Sequence, residues 1–136
     1  MATYRAWGNT MKSVILDANA LMMPVQYGVD VEREVKRLLG ACEILVPSTV
    51  AQEINHLKEQ GGKTREAARV AQQLIERFRV VGTNGWGDQS IINLAREVKG
   101  IVVTNDKMLR GELRKIKIPV IYLRGNNRLE LEGWCE

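Results

Sequence analysis

Short, nearly unbroken apolar runs recur along this chain, at Val14-Ile15-Leu16, Ile44-Leu45-Val46, Ile101-Val102-Val103 and Val120-Ile121, and amphipathic segments separate them. A strand that is apolar on both faces must be covered on both, and helices between such strands supply the covers. The pattern predicts an α/β fold: a three-layer α/β/α sandwich around a central, mostly parallel sheet. In open sheets of this kind, ligands bind beyond the carboxyl ends of the strands, where the strand order reverses.

At 136 residues the chain fits one domain, since single domains commonly run to about 100–150 residues. We read residues 1–11 as a loose N-terminal extension, 12–124 as the domain and 125–136 as a C-terminal tail. Strands are predicted at 13–17, 43–46, 79–81, 101–104 and 120–123. A short helical segment is predicted at 20–24, and helices at 30–39, 49–60, 64–77, 88–98 and 107–115. Ser48, or Thr49 with Gln52 in capping-box spacing, is expected to start the helix at 49. Gly82-Thr83-Asn84-Gly85-Trp86-Gly87 reads as a flexible turn.

No apolar stretch approaches the ~20 residues that span a bilayer, and the first residues lack the basic-then-apolar layout of a signal peptide, so no membrane association and a cytoplasmic location are expected. The two cysteines, Cys42 and Cys135, belong to no Cys/His spacing that would hold zinc. One optional pair in a chain of this size fits a reducing compartment. The formal charge is +4, but residues 99–128 hold Lys99, Lys107, Arg110, Arg114, Lys115, Lys117, Arg124 and Arg128 against Asp106 and Glu112. Such a stripe suits a polyanion, with Lys107, Arg110 and Arg114 as its candidate contacts; the bland alternative is a solvated helix face.

Four carboxylates occupy positions that are expensive for a charge. Asp17 and Asp106 each follow an apolar strand at the point where the chain turns into a helix. Glu53 falls within the stripe Val50, Ile54, Leu57, and Asp88 lies one turn before Ile91 and Ile92, so helical phase predicts that both face the buried side. A buried ionised carboxylate must be protonated, paired or bound to a cation. Individually, Asp88 and Asp106 have a simpler explanation as helix caps, and Asp17 as a turn residue. Glu53 has no capping role.

Other chemistries fit less well. The single histidine, His56, lies in a charged helix, where it reads as a surface or boundary residue, and the cysteines are far apart, which disfavours Ser-His-Asp or Cys-His catalysis. The 82–87 glycines match neither phosphate-loop pattern. Position 19 is Asn where an aspartyl-phosphate enzyme would want a second acid. An acidic cluster of oxygen ligands beside a basic stripe suits a hard divalent cation, or two about 4 Å apart, acting on a phosphodiester.

Four segments in order resemble the motifs of the PIN-domain ribonuclease family: Ile15-Leu16-Asp17-Ala18-Asn19-Ala20-Leu21, Val46-Pro47-Ser48 through Glu53, Gly87-Asp88-Gln89-Ser90-Ile91 with Ala95, and Val102-Val103-Thr104-Asn105-Asp106 with Leu109. The resemblance implies a metal-dependent endoribonuclease. Asp17, Glu53, Asp88 and Asp106 would bind Mg²⁺ or Mn²⁺, and Asn19 and Thr104 would support them by hydrogen bonds. A water activated at that site would attack an RNA phosphodiester. Many relatives carry a second acid beside the third-motif aspartate; here its neighbours are Gly87 and Gln89, which leaves open whether a second metal binds.

Two branches of the family compete. The ending Lys115-Ile116-Lys117-Ile118-Pro119-Val120-Ile121-Tyr122-Leu123-Arg124 is similar to archaeal and eukaryotic ribosomal-RNA processing nucleases, and the compact size suits the toxin of a VapC-type toxin–antitoxin pair. Family analogy adds a homodimer and, for the toxin branch, an antitoxin partner. The alternatives are a catalytically weak RNA-binding module of the same fold, or a small-molecule phosphohydrolase using Asp17.

Overall fold

The structure is a computed structural model that describes residues 11–133. The N-terminal extension up to residue 10 and Cys135 therefore lie outside the described residues. The chain runs β1 (Lys12–Leu16), α1 (Ala18–Tyr27), α2 (Val31–Leu39), β2 (Cys42–Pro47), α3 (Ser48–Leu57), α4 (Gly62–Ile75), β3 (Arg79–Val81), α5 (Gly87–Val98), β4 (Ile101–Val103), α6 (Lys107–Lys115), β5 (Val120–Arg124) and β6 (Arg128–Glu132). One sheet collects all six strands in the order β3-β2-β1-β4-β5-β6. Every pairing is parallel except β5 with β6.

The chain first steps outward from β1 through β2 to β3, then returns to β4 on the other side of β1 and continues to β5. Right-handed crossovers made in opposite directions put their helices on opposite faces. Accordingly, α1 packs against α2 and α4, and α4 against α3, while α5 lies over β1, β2 and β4 and α6 over β5. The central strands carry the core: Val14, Ile15, Leu16, Val102 and Val103 have no exposed surface. Gly100 permits this close stacking, because a Cβ there would stand 3.0 Å from the Ser13 carbonyl oxygen.

The expected layers and strands are present, with several differences; the helix expected at 49–60, for one, ends at Leu57. The helical segment expected at 20–24 is a ten-residue helix, α1, because Asp17 caps it from Ala18 and the chain does not turn away until Gly28, whose φ is +67°. Thr49 and Ser48 do not cap α3: Pro47 holds that position without a side-chain bond, and the Thr49 hydroxyl instead meets the Ser90 hydroxyl at 2.7 Å. The helix expected at 64–77 begins earlier, at Gly62, and ends at Ile75. Residues 128–132, read as part of a tail, form the antiparallel edge strand β6, with Leu129 fully buried.

That edge strand is held by α2. The Glu34 carboxylate accepts the Leu129 N–H at 3.0 Å, and Arg37 Nη2 donates to the Leu129 carbonyl at 2.8 Å. Arg37 is itself fixed by two bonds to Glu34, at 3.1 and 3.0 Å.

Candidate functional site

Asp17 follows directly on β1 and is only 4% exposed. Its Oδ1 accepts the Ala20 N–H at 2.8 Å, which starts α1, and its Oδ2 accepts the Thr104 hydroxyl. Thr104, just past β4 and fully buried, accepts in turn from the Asp106 N–H at 3.1 Å. Asp106 then caps α6, its Oδ1 accepting from Met108 at 2.8 Å and Leu109 at 3.1 Å. A hydrogen-bonded chain from the Asp17 carboxylate through the Thr104 hydroxyl to the Asp106 backbone thus lies where β1 and β4 end, the reversal point at which open sheets bind ligands. Burial is the main force on Asp17, raising its pKa from 3.8 to about 7; the Thr104 and Ala20 hydrogen bonds oppose it, and the charges of Asp106 and Asp88 reinforce it.

Glu53 and Asp88 do not face the core. Both are exposed. The buried line of α3 runs through Val50 and Ile54, four residues apart, and Glu53 lies about 100° around the helix from Ile54. Asp88 belongs to the first turn of α5, which projects past the sheet, and burial begins only at Ser90. Partial desolvation raises both pKa values, followed by the Asp88 charge for Glu53 and by Asp106 and Glu112 for Asp88. The two helices are latched together near these acids. Thr49 of α3 meets Ser90 of α5, and Ser90 Oγ donates to the Gly87 carbonyl at 2.7 Å.

All four carboxylates line one cavity of about 470 Å³. Asn19, Thr49, Gln52, His56 and Trp86 are also on its wall, and among the described residues no Lys or Arg is. His56 is exposed, at this rim. Among the described residues, no three His, Cys, Asp or Glu side chains are drawn together into a ready ligand set. The all-oxygen donors nevertheless fit a hard cation that keeps several waters and takes one or two carboxylates directly. A cavity of this size has room for such a hydrated ion, with Asp17 and Asp106 on the inner wall and Glu53 and Asp88 at the mouth.

The basic candidates lie apart from this cavity. Lys107 is exposed. Arg110 stacks on the Tyr122 ring at 3.8 Å and reaches Glu132 at 3.3 Å, and Arg114 reaches the same carboxylate at 3.5 Å. Arg124 pairs with Glu130 at 2.9 Å. The acids Glu130 and Glu132 lie just beyond the stretch 99–128 that reads as a basic stripe, and β6 folds them back onto it. Trp86 stands in the sequence as an isolated aromatic between Gly85 and Gly87, and nothing in its spacing ties it to the acids.

The family profile described as "PIN like domain" matches residues 14–126. The chain belongs to this family. Other PIN-like proteins resemble it over nearly their whole length. "Ribonuclease VapC9" of Archaeoglobus fulgidus is 33% identical over 133 residues, covering 97% of this chain and 98% of the relative. "Ribonuclease VapC4" of Methanocaldococcus jannaschii is 29% identical over 129 residues, covering 90% and 98%. The solved PIN domain of the endonuclease Utp24 superposes with a TM-score of 0.73 at 26% identity, covering 90% of this chain and 92% of that one. A domain of a protein from Methanocaldococcus jannaschii shares the fold, with a TM-score of 0.63 at 17% identity.

Proposed function

We propose that this PIN-like chain is a divalent-metal-dependent endoribonuclease with Asp17, Glu53, Asp88 and Asp106 as its catalytic and metal-holding residues. The observation that carries this proposal is that four carboxylates from separate segments of the chain line a single cavity at the sheet's reversal point. The ribonuclease names of two relatives that match almost the whole chain support the same activity. Mg²⁺ or Mn²⁺ suits the oxygen donors.

When bound, the cation supplies charge neutralisation at a phosphoryl oxygen and acidifies water. The chain's own residues set the rest. Thr104 fixes the Asp17 carboxylate through Oδ2 and the start of the Asp106 turn through its own Oγ1, so the inner wall is preorganised. Glu53 and Asp88 at the mouth, whose pKa values desolvation raises, are placed to accept a proton from the attacking water. Asn19, exposed on the wall, supplies an amide that can orient substrate or water.

Purified protein with Mn²⁺ is expected to cut RNA, and Asp17→Asn to abolish cutting; metal-independent cleavage surviving in that variant contradicts the assignment. The VapC relatives favour the toxin branch over ribosomal-RNA processing, and the likeness to the endonuclease Utp24 supports nuclease activity for either. A small antitoxin-like reading frame beside the gene decides for the first. Light scattering tests the homodimer that family analogy predicts.

A further inference from the structure

Trp86 is 82% exposed, the least covered large apolar side chain among the described residues, and it lines the acidic cavity beside Asp88. An indole in water forgoes the burial that normally favours a tryptophan. The backbone around it is held. Gly85 and Gly87 flank it at φ +92° and +54°, and Asn93 Nδ2 donates to the Asn84 carbonyl at 3.0 Å. A Cβ on Gly85 would stand 3.1 Å from that same Nδ2, so the loop is seated on α5 while the ring stays free.

The charge at the cavity sharpens what this ring can meet. Among the described residues, four carboxylates line the wall and no Lys or Arg does, so the cavity offers a phosphate no cationic side chain. A nucleobase is neutral and offers a π-face, and stacking on an aromatic ring tolerates any base. In a duplex both faces are already stacked, so only an unpaired base has a face to give.

We propose that Trp86 is a stacking platform for an unpaired nucleobase, positioning the RNA beside the phosphodiester to be cut. The inference deepens the ribonuclease assignment and rests on it for the position of the cleaved bond.

The test uses the full chain with a fluorescently labelled oligoadenylate, first in EDTA, where binding is read without cleavage. Trp86→Ala is expected to weaken binding about ten-fold, Trp86→Phe to retain most of it, and neither to change binding to an oligoadenylate–oligouridylate duplex. An abasic nucleotide at the stacked position weakens wild-type binding and adds no further loss in Trp86→Ala. With Mn²⁺, Trp86→Ala raises KM by about the same factor and leaves kcat within about two-fold. Unchanged oligoadenylate binding in Trp86→Ala overturns the proposal, as does an equal loss on the duplex. A change in oligomeric state with RNA binding intact assigns the ring to a protein contact and also overturns it. Trp86-dependent binding in EDTA with no cleavage in Mn²⁺ upholds the stacking role while refuting the nuclease assignment.

Discussion

Thr104 and Asp17, 87 residues apart in the chain, are joined side chain to side chain at the ends of the two central strands. The same Thr104 oxygen accepts the Asp106 N–H, so one hydroxyl holds the Asp17 carboxylate and the backbone that carries Asp106.

Thr104→Val keeps the shape and removes the hydroxyl, leaving Asp17 Oδ2 without its donor and the Asp106 N–H without its acceptor. A loss of about 1–3 kcal/mol in stability is expected for such unpaired groups, with a fall of at least about ten-fold in kcat. Thr104→Ser should retain both bonds and most activity. Chemical denaturation and Mn²⁺-dependent cleavage measure the two effects, and the acidic limb of the pH–rate profile should move upward in Thr104→Val as Asp17 loses a bond that favours its charged form.

Asp17 also sets a pH window on stability. Its folded pKa, about 7, lies above the ordinary 3.8. In EDTA the contribution of this group to stability is therefore complete below about pH 3.8, declines as pH rises, and is lost above about 7. Asp17→Asn, which cannot ionise, should be more stable than wild type at pH 8 by roughly 2–4 kcal/mol, with the advantage shrinking towards pH 4. Mn²⁺ at pH 8 should raise the wild-type Tm and leave that of Asp17→Asn almost unmoved. Thermal melts over this range, with and without metal, provide the comparison.

The Glu34 clamp on β6 behaves in the opposite sense. Its hydrogen bonds from Arg37 and from the Leu129 N–H depress the Glu34 pKa to about 2, from 4.5. Its stabilisation is thus present above about pH 4.5 and disappears as pH falls through about 2. Glu34→Gln should cost about 1 kcal/mol at pH 7, and the difference from wild type should vanish at the acid end. Hydrogen exchange at Leu129 reports the loosening of the edge strand directly.

Glu132 pairs with both Arg110 and Arg114 and so offsets their charge. Glu132→Gln should release that charge, tighten RNA binding severalfold at low salt and steepen its salt dependence, since each further phosphate neutralised by a cationic side chain adds about 0.7 to the slope for a single strand. Filter binding across a salt series is the measurement. An unchanged slope would show that the two arginines act only through their packing.

The apolar runs make the layers and the reversal of strand order legible, because strands buried on both faces leave few other arrangements. Asp17 and Asp106 are readable for the same reason: each stands one step past such a run. Helical phase points to Glu53 and Asp88 but misjudges their surroundings. A helical stripe has a width, and the phase of one side chain at its edge does not say whether the neighbouring element extends far enough to cover it. Residues Arg128-Leu129-Glu130-Leu131-Glu132 carry the alternation of an edge strand, yet their glutamates matter through partners on α6 and β5 that no local pattern records. The Thr49–Ser90 latch joins residues 41 positions apart and likewise leaves no local mark.

The distance along the chain between Asp17 and Asp106 also ties the acidic cavity to the order of synthesis. Neither carboxylate has its Thr104-held position until β4 has been inserted next to β1, and β4 comes late in the chain. A nascent or truncated chain ending before that strand has no such inner wall. If the chain acts as proposed, synthesis itself delays nuclease activity until β4 has been made.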